Sequence, residues 1–190
     1  GMVITNNKKI FQKIKKLKAF GYNRSLHERK IPGIYDVDDL GFNYRMSELH
    51  AAIGISQLEK LPLFLKVRKR NFDYFSRKIK DNKNFVLFTN ANRLINHAYY
   101  CLNLTIRKNI NIDRSKFIKK LVSNGIGVSV HYPKALTMLK YYKDKYRFKK
   151  NDYPVSEWIA NNTISFPIGP HISLSQIDYV IKIIEKIVGK

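Results

Sequence analysis

The chain has one cysteine in 190 residues, Cys101, so no intrachain disulfide can staple it. It has no apolar run near the roughly 18 residues that a membrane-crossing helix needs. Its N-terminus lacks the succession of charged, apolar and small residues that marks a signal peptide. These absences lead to the expectation of a cytoplasmic protein with no membrane partner. Five histidines, His27, His50, His97, His131 and His171, stand too far apart for zinc-ligand spacing, so no metal site is expected. Internal repeats and low-complexity segments are also absent. Acidic residues are scarce: 14 Asp and Glu stand against 36 Lys and Arg, a formal net charge of +22.

Such a charge first suggests nucleic acid. The excess is mainly lysine, however, and it is spread along the chain among many Asn and Ile residues, a bias that AT-rich codons produce. Arginine forks, glycine-rich loops and clustered basic segments, on which readers of nucleic acid lean, do not stand out. Nucleic acid is therefore not the expected partner. A basic module for nucleic acid or another polyanion stays open as an alternative.

With 44% hydrophobic and 13% aromatic residues, the chain can bury one sizeable core, or one domain plus part of another. The opening "GMVIT" reads as a short strand. "NNKKIFQKIKKLKAFG" places Ile10, Phe11, Ile14 and Leu17 at helical spacing and predicts a helix that stops at Gly21. Residues 21–43 read as an exposed loop with a turn at Pro32 and Gly33. A helix follows from the Ser47 cap, apolar around most of its circumference. Pro62 is expected to open a second helix with Leu65, Phe72, Phe75 and Ile79 on its apolar side.

The pattern then changes. "FVLF", "HAYYCLNLTI", "IGVSVHY" and "TISFPI" predict strands, with Cys101 buried in one of them. "DRSKFIKKLVSNG" and "SLSQIDYVIKIIEKIVGK" predict helices, the last with Ser173 and Gln176 at capping-box spacing. "ALTMLKYYKDKYRFKKND" is ambiguous between a short helix and a basic loop. His97, Tyr99, Tyr100 and Trp158 are expected to pack, and the lysine-rich faces at 8–18 and 143–150 to be solvated. Residues from about 83 form a compact α+β unit, while those before look like the end of something larger.

The stretch "GFNYRMSELHAAIGISQLEKL" sets Asn43 and Arg45 immediately before an apolar helix. Unpaired N–H groups and a partial positive charge at a helix start, beside an amide and a guanidinium, describe a possible anion site that includes Ser47.

"GMVIT", that stretch, "VSVHYP" and "PVSEWIANNTISFPIGPHIS" follow one another in an order and spacing that resemble the C-terminal half of the DegT, DnrJ and StrS family. These are pyridoxal phosphate (PLP) aminotransferases acting on nucleotide-linked keto-sugars. The resemblance implies an α/β protein: the C-terminal part of a fold type I aminotransferase, with long interdomain helices followed by a small α+β domain. Residues 1–82 would be the end of the large PLP-binding domain and its connecting helices, and 83–190 the small domain.

The resemblance also implies roles. Asn43 would contact the PLP phosphate of a neighbouring subunit, and Arg45 the substrate diphosphate. His131 and Tyr132, at a strand end before Pro133, would line the sugar-nucleotide site, the histidine near phosphate and the tyrosine near sugar or phosphate. A second histidine often follows that proline in the family; "PKALTM" offers Lys134 and Thr137 instead, which leaves the substrate's identity open. Without the resemblance, each of these residues reads equally as a helix-end or strand-end packing group.

The family's Schiff-base lysine lies upstream of the "GMV" strand. The chain alone is therefore expected to lack it, to have no catalytic residue of its own and to be inactive; the expected partners are a second copy in a homodimer or an N-terminal half. Gly1 ahead of Met2 reads as a tag remnant on a half-length reading frame. A noncatalytic remnant of the enzyme is the remaining alternative.

Overall fold

The computed structural model describes residues 2–23, 26–28, 30–89, 97–108 and 110–189. Helix α1, Lys8–Leu17, starts where the Asn7 side-chain oxygen accepts from the Lys9 and Ile10 N–H groups at 3.0 and 3.2 Å. It ends earlier than the sequence suggests, with Lys18 at its C-cap; the chain then turns over through Phe20 and Gly21, both at positive φ. Residues 2–5 form no strand, for no ladder partner exists for them among the described residues.

Helix α2, Glu48–Ile79, runs unbroken for 32 residues. Ser47 caps it as expected, its hydroxyl accepting from the His50 N–H at 3.3 Å. Pro62 does not open a second helix but lies inside this one. A proline there removes one helical hydrogen bond; Pro62 is exposed, so water can take the freed carbonyl. Packing divides the chain into residues 1–59 and residues 60–190, and the division falls within α2.

In the second unit, strands β1 (Phe85–Leu87), β2 (Leu102–Ile106) and β3 (Thr163–Phe166) form an antiparallel sheet in the order β1-β2-β3. Phe85 pairs with Ile106, Leu102 with Phe166, and Leu104 with Ile164, so these side chains share one face. The opposite face carries Asn103 opposite Ser165 and Thr105 opposite Thr163. The apolar face makes the core with Phe72, Phe75 and Ile79 of α2, Phe117 and Leu121 of α3 (Arg114–Ser123), and Ile177, Ile181 and Ile184 of α6 (Leu174–Val188). Leu65, expected beside the three α2 residues, is half-buried. Phe85 meets Phe117 at 5.4 Å between ring centres, and Phe75 meets Phe166 at 5.8 Å. The expected Ser173–Gln176 capping box is present on α6, and Asp113 caps α3.

The ambiguous stretch resolves into a 3-10 turn, Leu136–Met138, and a short helix α4, Lys140–Tyr146. Helix α5, Pro154–Asn162, holds Trp158, whose indole N–H donates to the Ile106 carbonyl at 3.1 Å. The expected strand "IGVSVHY" shrinks to one bridge, Ser129 with Ser165. Cys101 is half-buried just before β2 rather than inside it. Tyr99 packs on Phe72 at 5.3 Å and His97 on Tyr99 at 4.8 Å, whereas Tyr100 is 77% exposed and does not pack. Among the described residues no helix is long and apolar enough to cross a membrane, and no His, Cys, Asp and Glu cluster suits a metal.

Two polar ties close this unit. Asn71 is fully buried, and its amide donates to the Gly169 and Ile172 carbonyls at 3.3 and 3.0 Å, anchoring the loop after β3. Asp178 of α6 accepts from Lys78 at 3.0 Å and Tyr74 at 2.9 Å, both on α2. Those bonds, the lysine's first, hold its carboxyl below the usual carboxylate range. A folded pKa below the unfolded one stabilises above the unfolded value, about 4, and the benefit fades as pH falls through the folded value. Asp178→Asn is therefore expected to lower the urea midpoint at about pH 7, with a deficit that shrinks as the pH falls below about 4 and is smaller at about pH 3. An equal deficit at both pH values would show that the carboxylate's charge plays no part.

Candidate functional site

In residues 1–59, the chain leaving α1 lies against residues 37–44. The Phe42 N–H donates to the Leu17 carbonyl at 2.7 Å, Tyr44 to Lys18 at 2.9 Å, and Phe20 to Phe42 at 2.9 Å, with Ala19 bridged to Asn43. Two glycines allow this approach. A methyl group on Gly21 would fall 1.8 Å from the Asp39 carbonyl oxygen, and one on Gly41 would fall 2.0 Å from the Gly21 nitrogen. Gly21 also sits at φ +74°, where side chains are disfavoured. Lys16 adds a 2.7 Å ion pair to Asp38, and this bond chiefly raises the ammonium's pKa above its ordinary value.

The backbone of Asn43 is thus held on both flanks, while its exposed side-chain amide has no hydrogen-bond partner among the described residues. Arg45 is exposed too, with its guanidinium carbon 5.2 Å from the centre of the Phe20 ring and 5.9 Å from that of Tyr22. Stacking on aromatic faces orients a guanidinium while leaving its in-plane N–H fork available. Ser47, by contrast, is occupied: besides capping α2, its hydroxyl lies 2.9 Å from His50 Nδ1. It serves the helix end rather than an anion.

In residues 60–190, His131 is moored to the polar face of the sheet. Its Nδ1 lies 3.1 Å from Ser165 Oγ, which donates its hydrogen to Asn103 Oδ1 at 2.6 Å. A serine that has given away its hydrogen can only accept, so His131 carries a hydrogen on Nδ1 and Nε2 is the ring's available nitrogen. The contact of Nε2 with Ser129 Oγ is long, at 3.4 Å. Tyr132, 74% exposed, meets the His131 ring edge-on at 5.9 Å. The peptide between them is cis. Both residues line an open cleft of about 670 Å³, bounded by residues 131–136 and 152–160.

The structure thus brings Asn43 together with Arg45, and His131 with Tyr132, each pair within its own unit. Sequence reasoning missed the rings beneath Arg45, the Asn103–Ser165 mooring of His131, and the cleft residues Asp152 and Tyr153. The alternation in "LNLTI" and "TISF" was a signal for the mooring, since period two sets Asn103 and Ser165 on one face. No local signal links Phe20 and Tyr22 to Arg45; that meeting depends on the backbone crossing.

The family model of the DegT/DnrJ/EryC1/StrS aminotransferases matches residues 1–185. The chain belongs to this family. An uncharacterized protein of Methanocaldococcus jannaschii is 30% identical over 194 residues, covering 100% of this chain and 50% of that protein. The GDP-4-keto-6-deoxy-D-mannose 3-dehydratase of Escherichia coli O55:H7 is 28% identical over 156 residues, covering 75% of the chain and 39% of the dehydratase. The structure also resembles Helicobacter pylori PseC, an aminotransferase involved in the biosynthesis of pseudoaminic acid. The TM-score is 0.81 at 21% identity, over 96% of this chain and 47% of PseC. The fold is therefore that of a fold type I sugar aminotransferase over about half its length. The chain spans half or less of the length of these relatives.

Gly21→Ala is expected to open the crossing. A methyl at positive φ costs about 1–3 kcal/mol before the clash with Asp39 is counted. The amides of Phe42 and Tyr44 should then exchange with deuterium far faster, while those of β2 and β3 keep their protection. Unchanged protection at Phe42 and Tyr44 would show that the glycine is not required.

Proposed function

We propose that this chain is the substrate-side portion of a PLP enzyme that transfers an amino group to a nucleotide-linked keto-sugar in polysaccharide, lipopolysaccharide or aminosugar biosynthesis. The reading rests above all on one arrangement: an unpartnered Asn43 amide and a ring-stacked Arg45 fork, presented on one braced segment before α2. In this reading residues 1–82 end the large domain and residues 83–190 form the small one. The amide and fork suit phosphate oxygens, since both donate and only one brings charge. When bound, PLP supplies the electron sink that lets an amino group move between donor and sugar.

Asn43 donates to the cofactor phosphate across a subunit boundary, and Arg45 grips the substrate diphosphate. His131 Nε2 and the Tyr132 hydroxyl orient the sugar-phosphate end. None of this chain's lysines is assigned the covalent role, and a second copy would bring none either, so activity needs an N-terminal half to supply it. The relative named as a 3-dehydratase favours one other outcome at such a site, loss of water from the keto-sugar in place of amino transfer. Product analysis separates the two, because only transfer places nitrogen on the sugar.

In the assembled enzyme, Arg45→Ala should remove a charge-assisted contact worth roughly 1.5–3 kcal/mol. Sugar-nucleotide affinity would then fall about tenfold to a hundredfold. Arg45→Lys should recover only part of this, since the ammonium keeps the charge and loses the fork. Asn43→Ala should loosen PLP and spare the nucleotide sugar. Unchanged Kd values for both ligands on the folded variants would reject the phosphate assignment.

A further inference from the structure

The cleft beside His131 holds more chemistry than the phosphate contacts use. Its second wall contributes Asp152, Tyr153 and Ser156, and Lys134 joins His131 and Tyr132 on the first. The rest of the lining is apolar: Ala135, Leu136, Pro154, Val155, Ile159 and Ala160. A concavity of about 670 Å³, mainly apolar with a few polar groups, is the form small-molecule sites take.

Tyr153 is the fixed element. It precedes Pro154, which restricts its backbone, and Phe148 meets its ring at 83° with centres 5.7 Å apart. A ring so braced is still 49% exposed, which makes it a ready stacking surface. Asp152 is held beside it, its Oδ2 accepting from the Lys149 N–H at 2.7 Å, and its Oδ1 has no partner among the described residues. A carboxylate oxygen accepts from ribose hydroxyls or from base N–H groups. Lys134 carries a cation on the same wall as His131, suited to phosphate.

We propose that this cleft seats the nucleoside end of the substrate. The base stacks on Tyr153, Asp152 accepts from the ribose or the base, and Lys134 meets the phosphate that adjoins His131. The inference rests on the reading of the substrate as a nucleotide-linked sugar, and it adds where specificity for a nucleoside resides. Stacking of one base on one aromatic side chain is worth about tenfold or more in affinity.

The test titrates the full chain with GDP, UDP and inorganic pyrophosphate by calorimetry, for the wild type, Tyr153→Leu and Tyr153→Phe. Leucine keeps apolar bulk without an aromatic face; phenylalanine keeps the face. The wild type should bind at least one nucleoside diphosphate about tenfold more tightly than pyrophosphate. Tyr153→Leu should erase that advantage, and Tyr153→Phe should retain it. Saturation transfer from the Tyr153 ring to the base protons, read on the wild type, gives the same answer without any substitution. An advantage that survives in Tyr153→Leu, or a base that receives no saturation from Tyr153, overturns the seat while leaving the nucleotide reading intact. Failure of the wild type to bind either nucleoside diphosphate more tightly than pyrophosphate overturns both.

Discussion

Two glycines let one strand of backbone pass over another, and the presentation of Asn43 and Arg45 depends on that passage. Without a Cβ at Gly21 and Gly41, residues 17–22 come close enough to 37–44 to share backbone hydrogen bonds. The same approach brings Phe20 and Tyr22 beneath the Arg45 guanidinium. A long, exposed arginine otherwise samples many rotamers, and ordering it on a ligand costs entropy. Here part of that cost is met before a ligand arrives, and under the proposed function that ligand is the substrate diphosphate.

The second unit solves a related problem with a sheet. Period-two alternation sends Leu102, Leu104, Ile106, Ile164 and Phe166 into the core and leaves Asn103, Thr105, Thr163 and Ser165 on the reverse. Buried hydroxyls need partners. Thr163 donates to the Ile159 carbonyl at 2.7 Å and accepts from Thr105 at 2.8 Å, while Ser165 links Asn103 to His131. The polar face is thereby satisfied, and in being satisfied it fixes the imidazole at the edge of the cleft.

Much of this was legible from the residues. Caps at Ser47 and Ser173, the three strands and the apolar side of the second half of α2 follow from spacing and side-chain chemistry. The unbroken course of α2 did not, because Pro62 is a local stop signal, yet on an exposed helix it costs one hydrogen bond whose carbonyl water can take. The strand expected at "GMVIT" failed for the opposite reason: a strand is defined by a partner. At the candidate site, the motif marked Asn43, Arg45, His131 and Tyr132. The groups that hold them, Phe20, Tyr22, Ser165 and Asn103, are distant in sequence and meet only through the fold.

The first half of α2 points to what completes the molecule. Leu49, Ile53, Ile55 and Leu58 are exposed, Leu49 by 79%, and a methyl group placed on Gly54 would meet nothing within 4 Å. Apolar surface of this extent on a helix calls for a further surface to cover it, and under the proposed function, in which Asn43 reaches a neighbour's cofactor, we propose that a second chain supplies it. Sedimentation velocity of the chain at micromolar concentration, with and without the pair Leu49→Asp and Ile53→Asp, tests this most directly. Our reading predicts a particle larger than one chain that reverts to a monomer in the charged variant; a strictly monomeric, non-aggregating wild type across that range would contradict it.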